Sequence, residues 1–118
     1  MPIEQRIFEG RTNTNTLVHE TAGVPTVWTG ISHMVLDLIA IEDGLSDVQL
    51  STNTAGQENT VDFSVNGFLV FILGDKNVAA GSYLVQLAAI SSSNEKTQIL
   101  HPDRDNAIFV FSNTKTVT

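Results

Sequence analysis

Residues 72–90 read ILGDKNVAAGSYLVQLAAI. A polar turn region, GDKNVAAG, runs straight into an alternating segment, SYLVQLAAI. On an extended chain Tyr83, Val85 and Leu87 fall on one face. In β-sandwich domains a tyrosine commonly sits at the corner that enters a long inner strand. Its ring fills the edge of the core and its hydroxyl bonds back to the chain a few residues upstream. A glycine two residues earlier lets the backbone turn tightly. Gly81 and Tyr83 stand at that spacing, and Tyr83 is the only tyrosine of the chain. The competing reading is a chance Gly-x-Tyr pattern. A hairpin signal upstream and an alternating strand downstream favour the corner, because independent local cues then agree.

Working outward, short apolar runs alternate with clusters of Thr and Asn such as RTNTNT, STNTAGQENT and SNTKTVT. Threonine favours strands and asparagine favours turns, so the pattern is that of an all-β sandwich or barrel. TVDFSV places Val61, Phe63 and Val65 inward against Asp62 and Ser64. Asn66-Gly67 predicts a two-residue hairpin turn. FLVFIL follows and reads as buried on both faces. SHMVLDLIAI reads as a strand with Met34, Leu36, Leu38 and Ala40 on one face. Ile31, Met34, Val35 and Leu38 also fit one helical face, but the Val/Ile content and glycine-bounded ends favour strand. VQLST, TQILH and AIFVFS are further strands, ETAGVPTVWTG is a loop, and EDGLSD is a turn. EQRIFEG is a short strand or an extended arm.

The chain has 118 residues, 42% of them apolar, which fits one domain with a sizeable core. Mean hydropathy is +0.07. No run approaches the roughly 18 apolar residues of a membrane span, and the early acidic residues of MPIEQRIFEG argue against a signal peptide. No cysteine is present, which excludes disulfides, thiolate metal sites and a cysteine nucleophile. It also suits assembly in a reducing compartment. Net charge is −7 and the pI about 4.6. No Lys or Arg occurs from Thr12 to Asp75, while Glu20, Asp37, Glu42, Asp43, Asp47, Glu58, Asp62 and Asp75 lie there. That field repels a phosphate backbone, so nucleic acid is not an expected partner.

The segment LVFILGDKNVAAGSYLVQLAAI resembles one that recurs in small phage virion proteins: strand, Leu-Gly, short turn, Ala-Gly-x-Tyr, strand. It is similar to the immunoglobulin-like N-terminal module of phage baseplate upper proteins and related tail-associated proteins. TGISHMVLDL, VQLSTNT and TVDFSVNG precede it in the order such modules show, so the resemblance covers about Thr29 to Ser112. It implies a non-enzymatic assembly role in a multimeric particle and carries no catalytic residues to transfer. Baseplate upper proteins are larger, with further domains for receptor-binding attachments, and this sequence corresponds to one module.

Candidate chemistry is sparse. His33 and Asp37 share a face, but zinc needs about three protein ligands, and only the distant His19 or His101 remain to complete a set. Glu42, Asp43 and Asp47 form an oxygen-rich turn that is the weak candidate for calcium; an ordinary acidic turn is the alternative. No nucleophile elbow, phosphate-cradling glycine loop or acid–base carboxylate pair emerges. Trp28, the only tryptophan, stacks on a sugar or anchors a partner if exposed, and otherwise covers one open end of the sandwich. Residues 108–111, IFVF, read as a core strand that would need a covering partner at a sheet edge.

The sequence therefore leads to an immunoglobulin-like antiparallel β-sandwich over residues 21–118, of about seven to nine strands. Residues 1–20 form an extended N-terminal arm or first strand. The expected function is a non-enzymatic structural or adaptor component of a bacteriophage tail, baseplate or collar, or a capsid decoration. It would be assembled in the host cytoplasm, without cofactors, from many copies and other virion proteins. Gly81 and Tyr83 form the structural corner, and Trp28, Ile7 and Phe8 are the candidate partner contacts. The alternative is a carbohydrate-binding β-sandwich module using Trp28.

Overall fold

Eleven strands make up the regular structure of this computed structural model, which describes residues 3–8, 14–73, 78–101 and 107–112. They are β1 (Ile3–Phe8), β2 (Thr14–Val18), β3 (Glu20–Thr21), β4 (Val24–Pro25), β5 (Ile31–Ala40) and β6 (Val48–Ser51). These are followed by β7 (Val61–Asp62), β8 (Phe68–Ile72), β9 (Gly81–Ser91), β10 (Lys96–Leu100) and β11 (Ala107–Ser112). No helix occurs among the described residues.

The larger sheet is built around β9. Strand β5 pairs along one side of it, and β6 continues beyond β5. The other side is shared: β11 takes the first half of β9 and β10 the second. β1 then adds to β11, the only parallel pairing among the described strands. A smaller sheet runs β2–β8–β7, and β3 and β4 form a separate hairpin. Both strand and helix were open for residues 31–41. The nonlocal ladders on both sides of β5 settle the choice, since a strand with two partners satisfies its backbone groups across the sheet.

Alternation delivers the core. Met34, Leu36 and Leu38 of β5, Tyr83, Val85 and Leu87 of β9, and Phe109 of β11 are fully buried. Leu69 and Phe71 of β8 and Leu17 of β2 join them in one cluster from the smaller sheet. The rings of Phe71 and Phe109 meet edge to face at 5.0 Å, tying the two sheets together. Such pairs add about 0.5–1.5 kcal/mol beyond area burial.

Four sequence expectations are corrected. The β7–β8 hairpin is present, with Val61 opposite Phe71, but its loop is longer than two residues. Gly67 has φ +82° while Asn66 does not share a positive φ, and the Phe68 N–H donates to the Val65 carbonyl, as in a type II rather than a primed turn. Val65, placed inward by simple alternation, is 58% exposed. The ladder stops at Asp62, so the alternation does not carry through the loop. FLVFIL is not buried on both faces: Leu69, Phe71 and Leu73 are buried, but Phe68 is 42% exposed. ETAGVP is not an open loop but the β3–β4 hairpin, with Ala22 and Gly23 both at positive φ, the geometry of a primed turn. The reading of residues 108–111 as a core strand holds: Phe109 and Phe111 are buried, and β11 pairs with β1 on one side and β9 on the other.

Candidate functional site

The turn into β9 is fixed by three groups. Tyr83 is fully buried, and its hydroxyl donates to the Ala79 carbonyl at 2.7 Å, four residues upstream. Its ring meets Phe111 edge to face at 5.5 Å. Gly81 has φ +148°, and a Cβ there would run into the Leu45 side chain. The Ser82 N–H donates to Glu42 at 2.8 Å, so the acidic turn is bound to the start of β9. Burial, helped by the Glu42 carboxylate, raises the Tyr83 phenol above its ordinary range.

A second cluster surrounds Trp28. Its indole is buried and its Nε1–H donates to the carbonyls of Val65 and Phe68 at 3.1 and 3.2 Å. Its backbone N–H donates to Asn66 Oδ1 at 3.0 Å. The Gly67 N–H donates to Thr26 O and the His19 N–H to Gly67 O, each at 2.8 Å. These bonds take the backbone groups of the Asn66–Gly67 turn across to another segment, which explains why it abandons the tight hairpin form. The His19 ring lies 5.8 Å from Trp28, and its Nδ1 is hydrogen bonded to Thr26 Oγ1 at 2.7 Å. Trp28 thus closes the core at this point. A ring only 5% exposed offers no stacking face, which corrects the reading of Trp28 as an exposed sugar platform or anchor.

Among the described residues five of the six exposed large apolar side chains lie in the segments around this turn; the sixth, Ile41, lies apart, beside the start of β9. Val18 and Phe68 are cross-strand neighbours, the Val65 carbonyl accepts the Phe68 N–H, and Val24 and Val27 lie within two residues of Thr26, whose carbonyl accepts the Gly67 N–H. All five are exposed. Sequence reasoning assigned Phe68 to the core; its parity against Leu69 and Phe71 on an alternating strand was the signal that places it outside. Ile7 and Phe8 lie in β1 opposite Phe111 and Ser112 of β11.

The remaining candidates do not converge. His33 and Asp37 occupy the same face of β5, yet His33 Nδ1 bonds Ser32 Oγ and the Asp37 carboxylate accepts from Gln49 and Gln86 on the flanking strands. Glu42 and Asp47 each accept a backbone N–H, from Ser82 and Ala40. No group of three or more His, Asp or Glu side chains suited to a metal ion comes together among the described residues.

A groove of about 410 Å³ runs along β7, floored by Val61, Phe63 and Ile72 and rimmed by Glu58 and Asp62. A second hollow, of about 320 Å³ beside Phe68 and Val70, shares Asp62 and Ser64 with it. The Asp62 carboxyl sits below its ordinary range because the Ser64 hydroxyl and N–H both bond it. No protein-family model matches this chain, and no curated protein matches it in sequence.

Proposed function

We propose that the chain is a non-enzymatic structural or adaptor component of a bacteriophage particle, in the tail, baseplate or collar or as capsid decoration. It is an immunoglobulin-like sandwich that works through protein–protein contacts with copies of itself and other virion proteins, after assembly in the host cytoplasm. The resemblance of residues 29–112 supports the family-level part of this reading. The observation that carries the contact mode is the apolar cluster of Val18, Val24, Val27, Val65 and Phe68 around one turn. Single exposed hydrophobics are ordinary, whereas contiguous ones mark interaction surfaces.

Light scattering on the full chain over a concentration series tests it. The expected result is a mass above 12.8 kDa that rises with concentration and collapses to the monomer in Phe68→Asp. A chain that remains monomeric throughout, with Phe68→Asp indistinguishable from wild type, refutes the self-assembly on which the proposal stands.

A further inference from the structure

We propose that the free edge of β7 takes an extended segment of a partner protein, alternately aliphatic and basic, as an added strand. The inference rests on the adaptor reading only in taking the occupant to be a protein.

Among the described residues β7 ends the smaller sheet, with β8 on one side and no strand on the other. The Ile72 N–H donates to Thr60 O at 3.0 Å, which makes Thr60–Ile72 a hydrogen-bonded pair. Antiparallel pairs alternate, so Val61–Phe71 is a non-hydrogen-bonded pair and Asp62–Val70 a hydrogen-bonded one. The N–H and C=O of Val61 therefore point away from β8, towards the groove that Val61 itself lines. An incoming strand satisfies both, and main-chain bonds of this kind are the basis of recognition by strand addition.

The side chains specify the occupant. Val61 turns inward, and Phe63, half-buried just past the end of the ladder, continues the same apolar floor, so inward-facing residues of an added strand meet apolar side chains. The residues between them lie beside Asp62, which faces outward, with Glu58 at the same rim. Both carboxylates are held by backbone N–H groups, Asp62 by Ser64 and Glu58 by Gly56, each at 2.9 Å. All strands of this sheet fall within residues 12–75, which contain no Lys or Arg. No Lys or Arg of that span neutralises the rim, and the complement is lysine or arginine on the outward-facing side of the added strand, beside Asp62 and Glu58. Opposite charges directly across a strand pair are favourable.

The test uses the full chain and a fluorescein-labelled Lys-Val-Lys-Val-Lys-Val-Lys peptide, followed by fluorescence anisotropy and by amide chemical shifts. Expected are saturable binding with Kd below about 1 mM and shifts centred on residues 58–64. Lys-Ser-Lys-Ser-Lys-Ser-Lys, Glu-Val-Glu-Val-Glu-Val-Glu and an N-methylated version of the first peptide bind at least tenfold more weakly. The exposed-site double variant Glu58→Lys/Asp62→Lys, with an unchanged circular-dichroism spectrum, loses at least tenfold. Equal binding of the serine or N-methylated peptide, shifts centred on Val65 and Phe68, or no binding at all overturns the proposal. The outcomes separate from those of light scattering. A chain that self-associates but ignores the peptides sinks the β7 edge alone, and one that binds them yet stays monomeric sinks self-assembly alone.

Discussion

Replacing Tyr83 by phenylalanine removes one oxygen from a fully buried ring and leaves its edge-to-face contact with Phe111 in place. What is lost is the 2.7 Å hydrogen bond to the Ala79 carbonyl. Ala79 is an exposed residue, so its carbonyl does not sit in the core. The penalty for a buried unsatisfied acceptor then does not apply, and the cost falls in the range of one ordinary hydrogen bond, about 1–1.5 kcal/mol. For 118 residues that corresponds to a Tm lower by about 4–6 °C. Tyr83→Ala instead removes the ring and costs about 3–5 kcal/mol. Urea denaturation of the three proteins, with calorimetry for Tm, measures both. The phenol adds a pH signature. Burial and Glu42 raise its folded pKa above the ordinary value of about 10. The folded state then holds the proton more tightly, so this stabilisation is complete below about pH 10 and is lost as pH rises through the folded pKa. Tyr83→Phe should flatten that alkaline limb. A Tyr83→Phe variant as stable as wild type, or as damaged as Tyr83→Ala, refutes the argument that the hydroxyl bond ties the corner together.

Three further predictions concern the turns. Gly67→Ala should cost about 2–4 kcal/mol in urea denaturation, because φ is +82° and the new Cβ would lie 2.7 Å from Pro25 Cβ. Ala22→Gly should raise stability by about 0.5–1 kcal/mol, since Ala22 is held at φ +53° and relief there outweighs the added chain entropy. Ser64→Ala should move the Asp62 carboxyl back up towards its ordinary range in an NMR titration, because the larger of the two Ser64 hydrogen bonds is gone. As Asp62 in the wild type is lowered, its contribution is present above the ordinary carboxylate range and fades as pH falls through the folded value.

Where strands lie was legible because alternation is a local property. Met34, Leu36 and Leu38, and Tyr83, Val85 and Leu87, each fall two residues apart, and the structure buries all six. Gly81 and Tyr83 were equally readable, since a sharp turn into a core needs a glycine and a large ring at fixed spacing. The turn at Asn66–Gly67 was legible only in position. Its local preference is a primed hairpin, but Trp28, Thr26 and His19 claim its side chain and backbone groups from far away in the chain.

The candidate surface was hidden for a related reason. Phe68, Val65 and Val18 have the chemistry of core residues; strand parity carried a signal for Phe68, but alternation pointed Val65 inward, and only the packing of the smaller sheet decides that it faces outward. The placement of Trp28, exposed anchor or cover over one end, stayed open in the sequence because its neighbours, VPTVWTG, have the composition of a loop; two carbonyls from residues 65 and 68 draw it inward. The amino-acid order by itself determined the all-β class, the placement of the long strands and the corner, all of which rest on neighbours within a few residues. The tertiary structure alone decided that β1 shields β11, that no described strand pairs with the outer edge of β7, and which apolar side chains remain in water. Those outcomes depend on pairings between segments tens of residues apart, and periodicity carries no record of a distant partner.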